Sequence, residues 1–383
     1  MKILITSLYN GQMNRGAESW VYQIFKNLRE KGIDAFLVQG GIDIPHWIAP
    51  YEGVIIEKSL ITHHQKNKPQ TNFFSRVSNS RVVHKLKHLL NIHEVDEDAL
   101  EFTEKIKKHL LKLNPDIYIP INGCIGIIKR FIRANNLKTK VVAVGHAGLP
   151  NELELVDAFI ALSSKDYKKA QRKNQHFKLF RVSNGVDIEL FDNAPIDAEI
   201  MKELSTLPRP IILCVAALVP CKRVHLAIEA AINIGKGSLL ILGDGPEKER
   251  LNNLIMRKVP KERRSNFKIL NGFEFSKMPT FYRLADILVH PADSREAFGS
   301  VIVEAMSQGK PVVLNDDEIR REIAGDLGSY VNPKNIKQFS EAILRELDNT
   351  DDLKKEALRR KAEEYSWDNV VNKYIKIFNE ILN

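Results

Sequence analysis

Short apolar runs recur along the chain at residues 2–6, 35–39, 53–57, 117–121, 141–145, 158–162 and 179–183. A second set follows at 211–218, 238–242, 267–270, 287–290, 312–315 and 329–331. Runs this short, rich in β-branched residues and flanked by turn formers, predict buried strands. Between many of them apolar residues return every three or four positions. In residues 17–31 that spacing places Val21, Ile24, Phe25 and Leu28 on one face, and Gly32 supplies a stop. Ser163 followed by Asp166 predicts a variant capping box at the start of another helix. Strands alternating with helices predict an α/β chain of parallel sheets covered by helices. The rhythm breaks over residues 189–210, where Pro195, Pro208 and Pro210 stand among polar residues, which predicts an interdomain linker. The final stretch, residues 367–382, is an amphipathic helix.

Composition narrows this picture. A chain of 383 residues is too long for one ordinary core and suits two domains. No apolar run approaches the roughly 18 residues of a membrane-spanning helix. Residues 1–6 read as a first strand rather than a signal peptide, because the apolar part is short and meets Asn10, Gln12 and Asn14 without a cleavage site. Cys124, Cys214 and Cys221 have no metal or redox spacing, which points to a reducing, cytoplasmic setting. The net charge of +9 favours an anionic partner. Nucleic acid is disfavoured, since no stripe of basic and aromatic residues appears. Residues 63–93 carry Lys66, Lys68, Arg76, Arg81, Lys85 and Lys87 and no Asp or Glu. Val82, Val83, Leu86, Leu89 and Leu90 recur there at helical spacing, so the segment reads either as a basic amphipathic helix for an anionic membrane or charged acceptor, or as an ordinary helix packed on the first domain.

The densest chemistry lies in Glu296-Ala297-Phe298-Gly299-Ser300-Val301-Ile302-Val303-Glu304. It reads as a loop after a strand, leading into a helix. Helix starts at the carboxyl ends of strands bind anions in α/β proteins, because free N–H groups and the positive dipole end point there. A phosphate can lie on the amides of Phe298, Gly299 and Ser300, with Gly299 allowing close approach. Two carboxylates then reach hydroxyls on either side, which is the outline of a nucleotide-sugar. The alternative is a surface helix carrying two glutamates. Elsewhere, Gly16 opens a helix, while the absence of G-x-G-x-x-G argues against a dinucleotide dehydrogenase. Gly243-Asp244-Gly245-Pro246 permits a tight turn near a nucleotide. Asp187 reads as a helix cap. Asp316-Asp317 reads as a solvated pair, and with no D-x-D at a strand end metal independence is expected.

These residues resemble the retaining glycosyltransferases of the family 4 type, which have the GT-B fold and an E-x7-E motif. The resemblance includes Arg15-Gly16-Ala17-Glu18, His146, Asn184-Gly185-Val186-Asp187 with Phe191, Lys222, Gly243-Asp244-Gly245-Pro246, Asn271-Gly272-Phe273, Glu322 and Tyr365-Ser366-Trp367. It implies two Rossmann-like domains facing each other across a cleft: residues 1–190 for the acceptor, 191–365 for the donor, and a helix over 366–383 returning to the first domain. It implies that Lys222 pairs with the donor diphosphate and Glu296 with sugar hydroxyls, while Glu304 holds the ribose. Phe298, Gly299 and Ser300 meet phosphate or sugar, Gly272 and Phe273 lie beside the base, and Gly16 approaches the diphosphate. His146 steadies the transferring sugar, and Glu322 is a further ligand candidate. Ala217 stands where an arginine is usual and Arg223 where a glycine is usual, so Arg223 is a substitute cation for the donor. A uridine-diphosphate sugar is the expected donor, with guanosine-diphosphate mannose next, and the acceptor is a glycan, a lipid-linked species or a small molecule. Two other readings remain at this stage: a non-catalytic nucleotide-sugar-binding partner, motivated by Ala217, and a nucleotide-sugar 2-epimerase.

Overall fold

A computed structural model of the chain describes residues 1–8, 16–40, 53–57, 97–121, 123–146, 148–150, 152–173, 176–296, 298–349 and 351–383. The basic segment over 63–93 lies outside the described residues, as do Arg15 and Ala297. The chain divides into two compact units. Unit 1 is Met1–Ala161, Lys169–Phe180 and Val371–Asn383; unit 2 is Leu162–Lys168 and Arg181–Val370.

The sheet of unit 1 runs in the order β3-β2-β1-β4-β5-β6-β7. Its strands are β1 Lys2–Ser7, β2 Asp34–Gly40, β3 Val54–Glu57, β4 Ile117–Ile121, β5 Lys140–Val144, β6 Ala158–Ala161 and β7 Lys178–Arg181. Helix α1, Gly16–Glu30, follows β1 and buries Val21, Ile24, Phe25 and Leu28, the face its spacing predicts. The last helix, Trp367–Leu382, contributes Tyr374 to this unit, with its ring centroid 5.8 Å from that of Trp20 on α1.

Unit 2 holds β8 Ile211–Val215, β9 Ser238–Leu242, β10 Phe267–Leu270, β11 Ile287–His290, β12 Val312–Asn315 and β13 Ser329–Val331. Their order is β10-β9-β8-β11-β12-β13, and all pairs are parallel. Side chains alternate between two cores. Ile211, Leu213, Leu240, Leu242, Leu288 and Leu314 enter one, while Ile212, Cys214, Leu239, Ile241, Ile287 and Val289 enter the other. Burial on both faces is why these strands read as unbroken apolar runs rather than as alternating ones.

The linker expected over 189–210 is not one. Helices Ile188–Asn193 and Ala198–Leu204 occupy it, and Ile188, Phe191, Ile200 and Leu204 join the core of unit 2. Asp187 accepts from the Leu190 amide, and Asp197 from those of Glu199 and Ile200, so each helix begins on a capping aspartate. The prolines fall between and after these helices, where they interrupt regular structure without freeing the chain.

Strand β8 also stops at Val215, short of the run to 218. The backbone of 216–218 turns onto the loop after β9: Ala216 N–H donates to Leu242 O at 3.0 Å, and Leu218 N–H to Asp244 O at 2.8 Å. Gly243 is required there, since a Cβ on it would stand 1.9 Å from Ala216 O. Gly243→Ala is therefore expected to destabilise the protein by on the order of 3 kcal/mol or more, read as a lowered melting temperature; an unchanged melt would mean the two loops are not packed this way. Among the described residues no helix is long and apolar enough to cross a membrane.

Candidate functional site

In unit 2 the strand order reverses between the neighbours β8 and β11, and ligands of open parallel sheets bind at the carboxyl ends of strands at such a switch point. The loops leaving these two strands are stitched together, with Asp293 N–H donating to Cys221 O at 2.9 Å. The β8 loop closes in a short 3-10 turn, Pro220–Lys222, before helix α7, Val224–Ile234. Between them Arg223 adopts φ 50° and ψ 35°. This left-handed backbone suits glycine, and for arginine it costs on the order of 1 kcal/mol. Arg223 Nη2 in return lies 3.5 Å from Asp293. Asp293 is chelated by Arg295 at 2.6–3.1 Å, which, with Arg223, holds its carboxyl down at about 2.

Glu296 is the hub of the two loops. One carboxylate oxygen is paired with Lys222 Nζ. The other accepts from Arg320 Nη2 at 2.8 Å and from His290 Nε2 at 2.5 Å. An ionised carboxylate only accepts, so the His290 Nε2 atom carries the proton of that bond. Burial alone raises the Glu296 carboxyl, but His290, Lys222 and Arg320 outweigh it and hold the group well below the usual carboxylate range. The side chain is therefore a fixed anion at any working pH.

Helix α10, Ser300–Ser307, begins immediately after Gly299, whose φ is 100°. The first amides of a helix have no partner within it, and this helix starts next to the cluster: a Cβ on Gly299 would lie 3.6 Å from His290 Nε2. The Phe298 ring does not face that surface. It is buried, with its centroid 5.7 Å from the Tyr365 ring. Glu304 is 5% exposed and accepts from the Tyr282 hydroxyl at 2.6 Å. Burial pushes its carboxyl up from 4.5 to about 7. The folded state thus favours the protonated form, so the contribution is fully favourable below pH 4.5 and is lost as pH rises to about 7. We expect stability to fall by up to about 3 kcal/mol across that window and Glu304→Gln to flatten the fall. Melting curves from pH 4.5 to 8 check this, and parallel profiles for the two proteins would contradict it.

The remaining sequence candidates are placed as follows. Gly243 packs against the β8 loop as described. Gly272 has φ 82° with open space around it, and the Phe273 ring packs edge-on against Phe281 at 4.7 Å. Glu322 is engaged on both oxygens, by the Ser164 amide and by Arg181 Nη1, each at 2.9 Å. That amide opens the helix whose capping pair, Ser163 and Asp166, is formed. Gly16 begins α1 in unit 1. The His146 ring packs edge-on against Trp20 at 4.6 Å, and its buried Nε2 has no hydrogen-bond partner among the described residues. Desolvation lowers the ring to about 3, so it is neutral. Asp317 is not a solvated acid: it caps the helix Glu318–Ala324 and holds Arg320, whereas Asp316 pairs with exposed Arg321.

Sequence reasoning missed Arg320, His290, Asp293 and Tyr282. Their types gave little signal, because a fully buried arginine is rare and reads as surface charge. The strand-end position of His290 was the one available cue.

Residues 196–365 match the family described as glycosyl transferases group 1. The chain is 25% identical over 412 residues to the phosphatidyl-myo-inositol mannosyltransferase of Mycolicibacterium smegmatis, covering 100% of this chain and 94% of that protein. It is 27% identical over 176 residues to an uncharacterised glycosyltransferase of Methanocaldococcus jannaschii, covering 44% of each. The matched stretch spans less than half the length of the first curated relatives. In structure the chain is similar to Anabaena HepE in complex with UDP-glucose, with TM-score 0.72 and 17% identity over 99% of this chain and 100% of that one. By these likenesses the chain has the GT-B fold.

Proposed function

We propose that this chain is a retaining, metal-independent glycosyltransferase that moves a sugar from a nucleoside-diphosphate sugar to a glycan, a lipid-linked or a small-molecule acceptor. The observation that carries the reading is the meeting of the β8 and β11 loops at the switch point. There Lys222 is bound to Glu296, beside the start of α10. A cation and free helix amides receive a diphosphate, and a fixed carboxylate next to them receives sugar hydroxyls.

In this reading Lys222 stabilises the leaving diphosphate, with Arg223 as a second cation. Glu296 orients the sugar, the amides of Phe298, Gly299 and Ser300 hold phosphate, and Glu304 reaches the ribose. Gly243, Gly272 and Phe273 shape the nucleotide end. Unit 1 is assigned the acceptor, with Gly16 and His146 as its candidate contacts. Glu322 is given no ligand role here, since both its oxygens are engaged. Uridine diphosphate is the first choice of nucleotide, as in the HepE complex. The mannosyltransferase names among the relatives keep a mannosyl donor second.

The test is incubation of the full chain with UDP-glucose, UDP-galactose, UDP-N-acetylglucosamine and GDP-mannose, with and without EDTA. Slow, EDTA-insensitive release of nucleoside diphosphate is the expected result. Binding without turnover would make the chain a non-catalytic partner, and epimer formation would make it a 2-epimerase.

A further inference from the structure

The Glu296 carboxylate has two kinds of holder, and they differ in freedom. Lys222 is 19% exposed, and Glu296 is its ion-pair partner. Arg320 is fully buried and anchored on two separate elements. Its Nη1 lies 3.2 Å from Asp317, the acid that caps Glu318–Ala324 through the amides of Ile319 and Arg320. Its Nη2 lies 3.3 Å from the Asp293 carbonyl in the β11 loop, in addition to its bond with Glu296. His290 is 1% exposed at the end of β11. Arg320 and His290 therefore cannot follow a ligand, whereas a lysine on a flexible stem can.

We propose that Arg320, assisted by His290, is the positioning residue that keeps Glu296 in place when Lys222 leaves it for the donor diphosphate. This rests on the transferase reading above. One carboxylate facing Lys222 alone would hold that lysine, and an incoming diphosphate would have to compete with the ion pair. With Arg320 satisfying the second oxygen, the loss of Lys222 leaves a carboxylate that is still paired and still oriented. Burial of Arg320 behind Glu296 also explains why a cation is spent where no ligand reaches it. A buried guanidinium without such a task costs stability.

The test is a double-mutant cycle read by calorimetry with free UDP and GDP, alongside donor turnover. Arg320→Met in the wild-type background is expected to weaken diphosphate affinity on the order of tenfold and to lower kcat. In a Glu296→Gln background it should change affinity by less than about twofold, because Lys222 is then already free. Arg320→Lys should recover part of the loss. Equal weakening in both backgrounds would overturn the proposal, since Arg320 would then act as a general cation or a scaffold. His290→Asn carries the same cycle with the same expected sign if Arg320→Met fails to fold, as judged by its melting curve, and equal weakening there overturns it likewise. A wild-type protein that binds neither diphosphate would instead sink the transferase reading itself.

Discussion

Glu296→Gln is expected to lower sugar transfer by roughly a thousandfold while leaving affinity for the free nucleoside diphosphate within about twofold. The substitution keeps the shape of the side chain, so the loop does not collapse. What it removes is a fixed negative charge held by Lys222, Arg320 and His290. A glutamine oxygen can still accept from one of them, but its NH2 group then faces the other donors and cannot orient sugar hydroxyls as the carboxylate does. The nucleotide is assigned to other groups, and release of Lys222 from its ion pair offsets any loss of diphosphate contact. Initial rates together with calorimetry check this. If Glu296→Gln weakened the diphosphate as much as Glu304→Gln does, the division of labour between the two carboxylates would be wrong.

Lys222→Ala is expected to cost about a hundredfold to a thousandfold in turnover. In the proposed reaction, departure of the nucleoside diphosphate develops charge on the bridging oxygen, and Lys222 is the cation proposed to meet it. Truncation to alanine leaves Glu296 bound by Arg320 and His290, so the effect reports on the leaving group and not on the collapse of the cluster. Ala217 is exposed in the same loop, where an arginine side chain has room to extend. Ala217→Arg should therefore leave the rate unchanged or raise it. Turnover near the wild-type rate in Lys222→Ala would remove this loop from the diphosphate.

The framework was legible because parallel strands buried on both faces must be apolar throughout, and each apolar run did become a strand. The error at 189–210 arose because proline density resembles a linker. Two capping aspartates and four apolar residues at helical spacing outweighed it. Within the site, the structure brings Lys222 and Glu296 into direct contact across 74 positions of sequence. Motif spacing had named both, though not their pairing. Arg320 was invisible for the opposite reason: nothing in Glu318-Ile319-Arg320-Arg321-Glu322 distinguishes the arginine that turns inward from its exposed neighbour. That choice is made by Asp317 and by Glu296, which is distant in sequence. The backbone of Arg223 was equally unreadable, since a left-handed arginine follows from the turn between the 3-10 segment and α7, not from its own preference.

The most direct test of the central claim is time-resolved proton NMR of the sugar released when the full chain is incubated with an α-configured UDP-hexose in the presence of EDTA. A retaining, metal-independent transferase releases the α anomer first, before mutarotation mixes the two forms, and Glu296→Gln abolishes the signal. Release of the β anomer first, a requirement for added divalent metal, or no release from any donor in the panel would contradict the account.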